Sequence, residues 1–263
     1  MAKGKREAQK LKAVKHYIAR ATCIFGFRSI DKQVRLKQGD AERAFRRIVN
    51  AQSTQTNVPD EMEPILPRIT LGSKHKVINI TQTACQAEFI FDRDGIEFEK
   101  QLAVIQKNVK EFFRCVGEFR PLSDYGQSAL VLEIQLPTAL GKMEMHRRLY
   151  EGYFVQGNVP GLLASLTFQV GFHSENNYFL NFAANVYEIR RRQFDPPLVV
   201  NGGLAINIQD VPVAEEGFGL RIDVNDRPRS VSPTYNIASP DELISTTFEF
   251  ARSKVDEVSS LAQ

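Results

Sequence analysis

The sequence predicts an α+β fold: one antiparallel sheet of about six strands, with two long amphipathic helices on its apolar face, in two layers. Three observations predict it. Two runs, Leu162–Phe172 and Tyr178–Tyr187, alternate apolar and polar residues. A helical stripe of Phe98, Leu102, Ile105, Val109, Phe112 and Val116 steps by four and three. A second stripe, Ile244, Phe248, Ala251, Val255, Val258 and Ala262, follows a capping signal at Ser239.

The alternating runs form a hairpin. Leu162, Ala164, Leu166, Phe168, Val170 and Phe172 share one face, as do Tyr178, Leu180, Phe182, Ala184 and Val186, because successive strand residues point to opposite sides. Setting Phe172 opposite Tyr178 places Val170 on Leu180, Phe168 on Phe182 and Leu166 on Ala184. His173 and Asn177 then close a turn around Ser174, Glu175 and Asn176. The other face carries Thr167, Gln169, His173, Asn181 and Asn185. It reads as a solvated outer face or as the polar lining of a ligand groove beneath a helix.

In chain order, residues 3–22 read as a basic amphipathic helix. Leu11, Val14, Ile18 and Ala21 form its stripe, with Lys10, Lys12, Lys15 and Arg20 around it. Residues 23–39 look irregular or weakly extended. A short helix starts near Asp40, a suitable N-cap, with Ala44, Phe45, Ile48 and Val49 inward and Arg43, Arg46 and Arg47 on its rim. Gln52–Pro67, with Pro59, Pro64 and Pro67, resists helix and sheet. This divides the chain into a basic, partly helical arm and linker (1–58) and an α+β body (59–263).

The body opens with a long strand, Val77–Phe91, rich in β-branched and aromatic residues. Asp92–Gly95 turns the chain into the first long helix, which Gly117 is placed to end. Ala129–Leu136 is a strand, and 143–150 has helical character. The hairpin follows, then Arg190, Arg191 and Arg192. Gly203–Gln209 and Gly219–Val224 read as strands, Asn225–Pro228 as a turn and 229–238 as a loop. Ser239, Pro240 and Glu242 start the last helix with a capping box. A sheet gripping that terminal helix is the arrangement preferred; a ferredoxin-like variant is the alternative.

The composition, 43% hydrophobic and 25% charged, fits a soluble globular chain. The chain has no run of about 18 apolar residues to span a membrane, and its amino terminus lacks a secretory core. Cys23, Cys85 and Cys115 share no metal or disulfide spacing, which predicts reduced, buried thiols in a cytoplasmic protein. The net charge of +3 conceals an imbalance: residues 1–50 carry +10 and the remainder −7. That predicts a basic arm facing an acidic partner, nucleic acid, or its own body. An amphipathic basic terminus also matches a mitochondrial presequence, against which Glu7 and the absence of Ser count.

No chemistry-bearing motif emerges. His16, His75, His146 and His173 lack a second ligand at metal spacing. Gly202-Gly203 is no phosphate loop, and no nucleophile elbow or Walker pattern occurs. Asp223 and Asp226 read as turn residues rather than metal ligands. No catalytic, cofactor or metal residue is therefore expected.

The layout of Leu130–Pro137, Leu162–Val186, Leu220–Val224 and Ser239–Leu261 resembles a sporadically distributed bacterial family of uncharacterised proteins of similar length. The resemblance spans roughly residues 77–261. It implies the α+β layout and supplies no catalytic residue. The patchy distribution points to mobile or defence-linked genes.

Two function classes remain. One is a non-catalytic interaction protein whose body binds a protein partner or itself. The other is sequence-independent nucleic-acid binding. Lys10, Lys12, Lys15, Arg43, Arg46 and Arg47, with Arg190, Arg191 and Arg192, are the candidate contacts for phosphates or an acidic partner. An enzymatic or small-ligand reading rests on a groove lined by Gln169, Asn181 and Asn185.

Overall fold

The computed structural model describes residues 15–154, 163–191, 211–231 and 239–263. It forms a nine-stranded antiparallel sheet in the order β2-β3-β4-β5-β1-β6-β9-β8-β7. The strands are β1 (Tyr17–Phe27), β2 (Ser53–Gln55), β3 (Ile69–Gly72), β4 (Lys76–Ile80), β5 (Ala84–Ile90), β6 (Tyr125–Pro137), β7 (Thr167–His173), β8 (Phe179–Arg190) and β9 (Val213–Asn225). The helices are α1 (Gln38–Phe45), α2 (Phe98–Phe119), α3 (Lys142–Tyr153), α4 (Arg227–Ser230) and α5 (Pro240–Leu261). The order repeats: a strand, a short helix, a meander and a helix of 22 residues occur first as β1, α1, β2–β5 and α2, then as β6, α3, β7–β9 and α5. Each half's first strand pairs with the last strand of its own meander, and β1 and β6 join the halves.

The sheet has nine strands rather than about six, chiefly because the amino-terminal region supplies two. The helix expected over 3–22 is corrected over its carboxy-terminal part: Tyr17–Phe27 is a central strand bonded to both β5 and β6. Ala21, Cys23, Phe25 and Phe27 alternate into the core, a period of two that outweighs the sparse helical spacing of Ile18 and Ala21. The expected division at 58/59 falls between β2 and β3, which pair with one another.

A β-bulge at Ala19 breaks the β1–β6 register between Ile18 and Arg20. The fully buried Gln101 of α2 makes up for it. Its Oε1 accepts from the Ile18 N–H at 2.7 Å and its Nε2 donates to the Ile18 carbonyl at 3.1 Å.

Other expectations need adjustment. Val77–Phe91 is two strands, because Thr81 Oγ1 accepts from the Thr83 and Ala84 amides and tightens a hairpin. Gly117 does not end α2, which runs to Phe119 and stops before Pro121. Residues 229–231 continue from a short helix, α4, instead of beginning a loop. The expected strand at 203–209 lies outside the described residues.

The hairpin register moves by two residues: Phe172 pairs with Leu180, Val170 with Phe182 and Phe168 with Ala184. Ser174 N–H donates to the Tyr178 carbonyl and Asn177 takes φ 58°, so Tyr178 belongs to the turn. Its buried ring lies 4.3 Å below the Arg229 guanidinium. A shift of two preserves every face assignment.

The proline-rich stretch is organised by one side chain. The fully buried Arg68 guanidinium donates to the carbonyls of Leu66, Pro59, Met62 and Glu63 at 2.8–3.3 Å. At the other end of the chain, the predicted cap forms: the Glu242 amide donates to Ser239 Oγ at 3.1 Å, with Pro240 opening α5. The stripes of α2 and α5 join the sheet's apolar face in one core, with Phe25, Phe112, Phe182 and Phe218 among its fully buried rings.

Candidate interaction surface

β7 is the outermost strand at one end of the sheet, without a partner on its outer side among the described residues. Its backbone parity follows from the turn. Because Ser174 N–H bonds Tyr178, the pairs Phe172–Leu180, Val170–Phe182 and Phe168–Ala184 exchange hydrogen bonds with β8. Thr167, Gln169, Gly171 and His173 therefore direct their N–H and C=O groups away from the sheet. An open edge is usually guarded by charge, proline or a bulge. The seven residues of β7 contain no charged side chain other than an ionisable His, no proline, and no register shift against β8. The opposite edge is different: β2 is only three residues long.

An aromatic ridge borders this edge on the helix side. Tyr153 of α3 stacks on Phe168 at 4.3 Å, and Phe154 meets the same ring at 6.0 Å and Tyr150 at 5.1 Å. Phe172 packs edge-on to Phe250 of α5 at 6.2 Å. Lys254 lies over Phe172, Phe182 and Phe250 and pairs with Glu257 at 2.6 Å, so its stem shields the inner rings. Phe154 and Phe172 remain 40% and 41% exposed.

Thr167, Gln169, His173 and Asn185 are exposed and Asn181 is half-buried, on the face opposite the helices. This is the solvated-face alternative. Among the described residues no helix covers this face, because the helices pack on the other side of the sheet.

The described members of the sequence-selected basic set do not converge. Arg43, Arg46 and Arg47 sit at the end of α1, where Arg47 pairs with Glu118 at 2.8 Å and Glu111 at 3.7 Å, and Arg43 pairs with Asp40. Arg46 is exposed, with no ion pair among the described residues. Lys15 lies beyond the other end of α2 and pairs with Asp94 at 3.2 Å. Lys15 is three residues from Ile18, whose α2 partner Gln101 lies about 25 Å along the helix axis from Glu118, the partner of Arg47. Arg190, at the end of β8, pairs with Glu188 and donates to the Val211 carbonyl at 2.9 Å. Arg191 is exposed beside it. Lys10, Lys12 and Arg192 lie outside the described residues.

Two buried carboxylates escaped or only grazed the sequence reading. Glu215 of β9 accepts from the Tyr17 and Tyr187 hydroxyls at 2.9 and 2.6 Å and pairs with Arg93 Nε at 2.6 Å. Burial, then this hydrogen bond, pushes both phenols well above their ordinary pKa, so neither is poised as a base. A cavity of about 480 Å³ opens beside Arg93 and Thr138; Oε1 of the carboxylate takes both phenol hydrogen bonds, and Oε2 has the Arg93 ion pair without a hydrogen bond. Of the two aspartates expected in a turn, Asp226 lies between β9 and α4, and Asp223 lies within β9. Asp226 accepts from the Ser128 amide at 2.6 Å, from Ser128 Oγ at 3.0 Å and from the Tyr125 hydroxyl.

The thiols of Cys23, Cys85 and Cys115 are free and buried, and burial pushes the Cys115 thiol up to about 11. Among the described residues no cluster of His, Cys, Asp and Glu could hold a metal, and no helix is long and apolar enough to cross a membrane.

The β7 edge was visible in the sequence as a strand. That it lies outermost was not, since strand order depends on contacts between distant segments. No protein-family model, curated protein or solved structure matches this chain.

Proposed function

We propose that this chain is a non-catalytic interaction protein that accepts an added β-strand along β7. The observation that carries the reading is an edge with outward backbone groups and no guarding charge, proline or bulge, beside partly exposed Phe154 and Phe172. Strand addition draws affinity from main-chain hydrogen bonds and specificity from neighbouring side-chain pockets. The structural partners of both buried carboxylates, the phenols and Arg93 at Glu215 and Ser128 and Tyr125 at Asp226, support a non-catalytic role.

A photo-cross-linking residue in place of Thr167, in the full chain expressed in its own cell, tests the reading. One discrete adduct is expected, and it disappears when Gln169→Pro is added. The Gln169 amide faces outward, so proline there blocks pairing without removing a bond to β8. No adduct, or an adduct indifferent to the proline, would refute strand addition.

A further inference from the structure

Resting on that reading, we propose that the added strand is β7 of a second copy of this chain, antiparallel across a two-fold axis at Val170. The register follows from the strand. Its four outward-facing residues must become the hydrogen-bonded pairs. The alignment that uses all seven residues sets Thr167 against His173 and Gln169 against Gly171 of the other copy. It supplies about eight main-chain hydrogen bonds.

Phe168, Val170 and Phe172 then occupy the non-hydrogen-bonded pairs, where side chains approach most closely. Phe168 meets Phe172 twice, on the helix side of the sheet, and Val170 meets itself. A charge near the axis of a two-fold strand pair would lie close to its own copy. β7 has no carboxylate, ammonium or guanidinium to repel. The half-exposed Phe172 is covered at the seam.

The first half of the fold already shows such a cover in cis. β3 occupies the place in its meander that β7 occupies in the second, and β2 pairs along its outer side.

Val170→Cys in the full chain tests the axis, since the three native thiols are buried. Mild oxidation is expected to give a disulfide-linked dimer of twice 29.8 kDa. Thr167→Cys, off the axis, should cross-link at least about tenfold more slowly, because a disulfide needs Cβ atoms about 4 Å apart. Adding Gln169→Pro, or Gln169→Lys as a second blocking variant, should abolish the Val170→Cys dimer while leaving far-ultraviolet circular dichroism unchanged. Wild-type chain that sediments as a monomer at tens of micromolar, with no Val170→Cys dimer, overturns the proposal. If the Thr167 photo-adduct then has a mass other than twice the chain, self-pairing falls and strand addition stands. If there is no adduct, both fall. A monomer whose four outward amides resist hydrogen exchange has its edge covered by its own chain, which also overturns self-pairing.

Discussion

Replacing Gln101 by Leu removes two hydrogen bonds and little volume. Its side chain is the partner of both Ile18 backbone groups, at 2.7 and 3.1 Å, in a fully buried position. Leu can neither donate nor accept, so an N–H and a C=O are left orphaned inside the core. Each orphan costs about 1–3 kcal/mol. Leu returns about 1 kcal/mol in apolar burial, leaving a net loss of about 1–5 kcal/mol. For a chain of this size that lowers Tm by about 2–20 °C.

Urea unfolding would read the loss as a lower midpoint at unchanged slope. Gln101→Glu adds a pH signature. Burial raises the folded-state pKa of the new carboxyl above its unfolded value. The protonated acid can accept from the Ile18 N–H and donate to its carbonyl, as the amide does. The variant should therefore approach wild type below the unfolded pKa, and lose stability as pH rises through the folded one. A Gln101→Leu variant within about 0.5 kcal/mol of wild type would refute the reasoning, since surface-like tolerance is incompatible with two orphaned groups.

Three further outcomes are expected. Arg68→Met strips four loop carbonyls of their donor. It should cost about 3–5 kcal/mol and speed proteolytic cleavage within 56–67. Gly217→Ala would place a Cβ 2.2 Å from the Leu136 carbonyl oxygen. The β6–β9 backbone must then yield, at about 1–3 kcal/mol or more in urea unfolding. Arg147 and Arg148 hold the Glu144 carboxyl down at about 2, against an ordinary 4.5. Because that pKa is depressed, its stabilisation is present above the unfolded value and is lost as pH falls through the folded one. Glu144→Gln should flatten the fall of Tm between pH 4.5 and 2.

The local elements were largely legible. The stripe of α2 and the Ser239 cap are signals read within a few turns of chain, and both hold with small changes at their ends. The faces of the hairpin were legible too, because a period of two survives a two-residue slip. Its register was not, since a slip of two leaves every face unchanged and the Arg229 guanidinium over Tyr178 comes from more than fifty residues away. β1 was misread for the same reason. Ile18 and Ala21 fit a helical stripe as well as a strand, and only two hydrogen-bonding neighbours more than fifty residues away decide between them.

The candidate surface divides along that line. The uncharged alternation of Thr167–His173 is a property of the sequence, and by itself it determined a strand with one apolar face. Its place at the end of the sheet is a property of the fold. The sequence by itself determined the α+β class, both long helices, the cap and the buried thiols, because each rests on spacing within one segment. Only the tertiary structure decided the strand order, the repeated halves, the union of the amino-terminal region with the sheet and the outermost place of β7. Strand pairing is settled by which distant backbones satisfy one another, and no single segment contains that information.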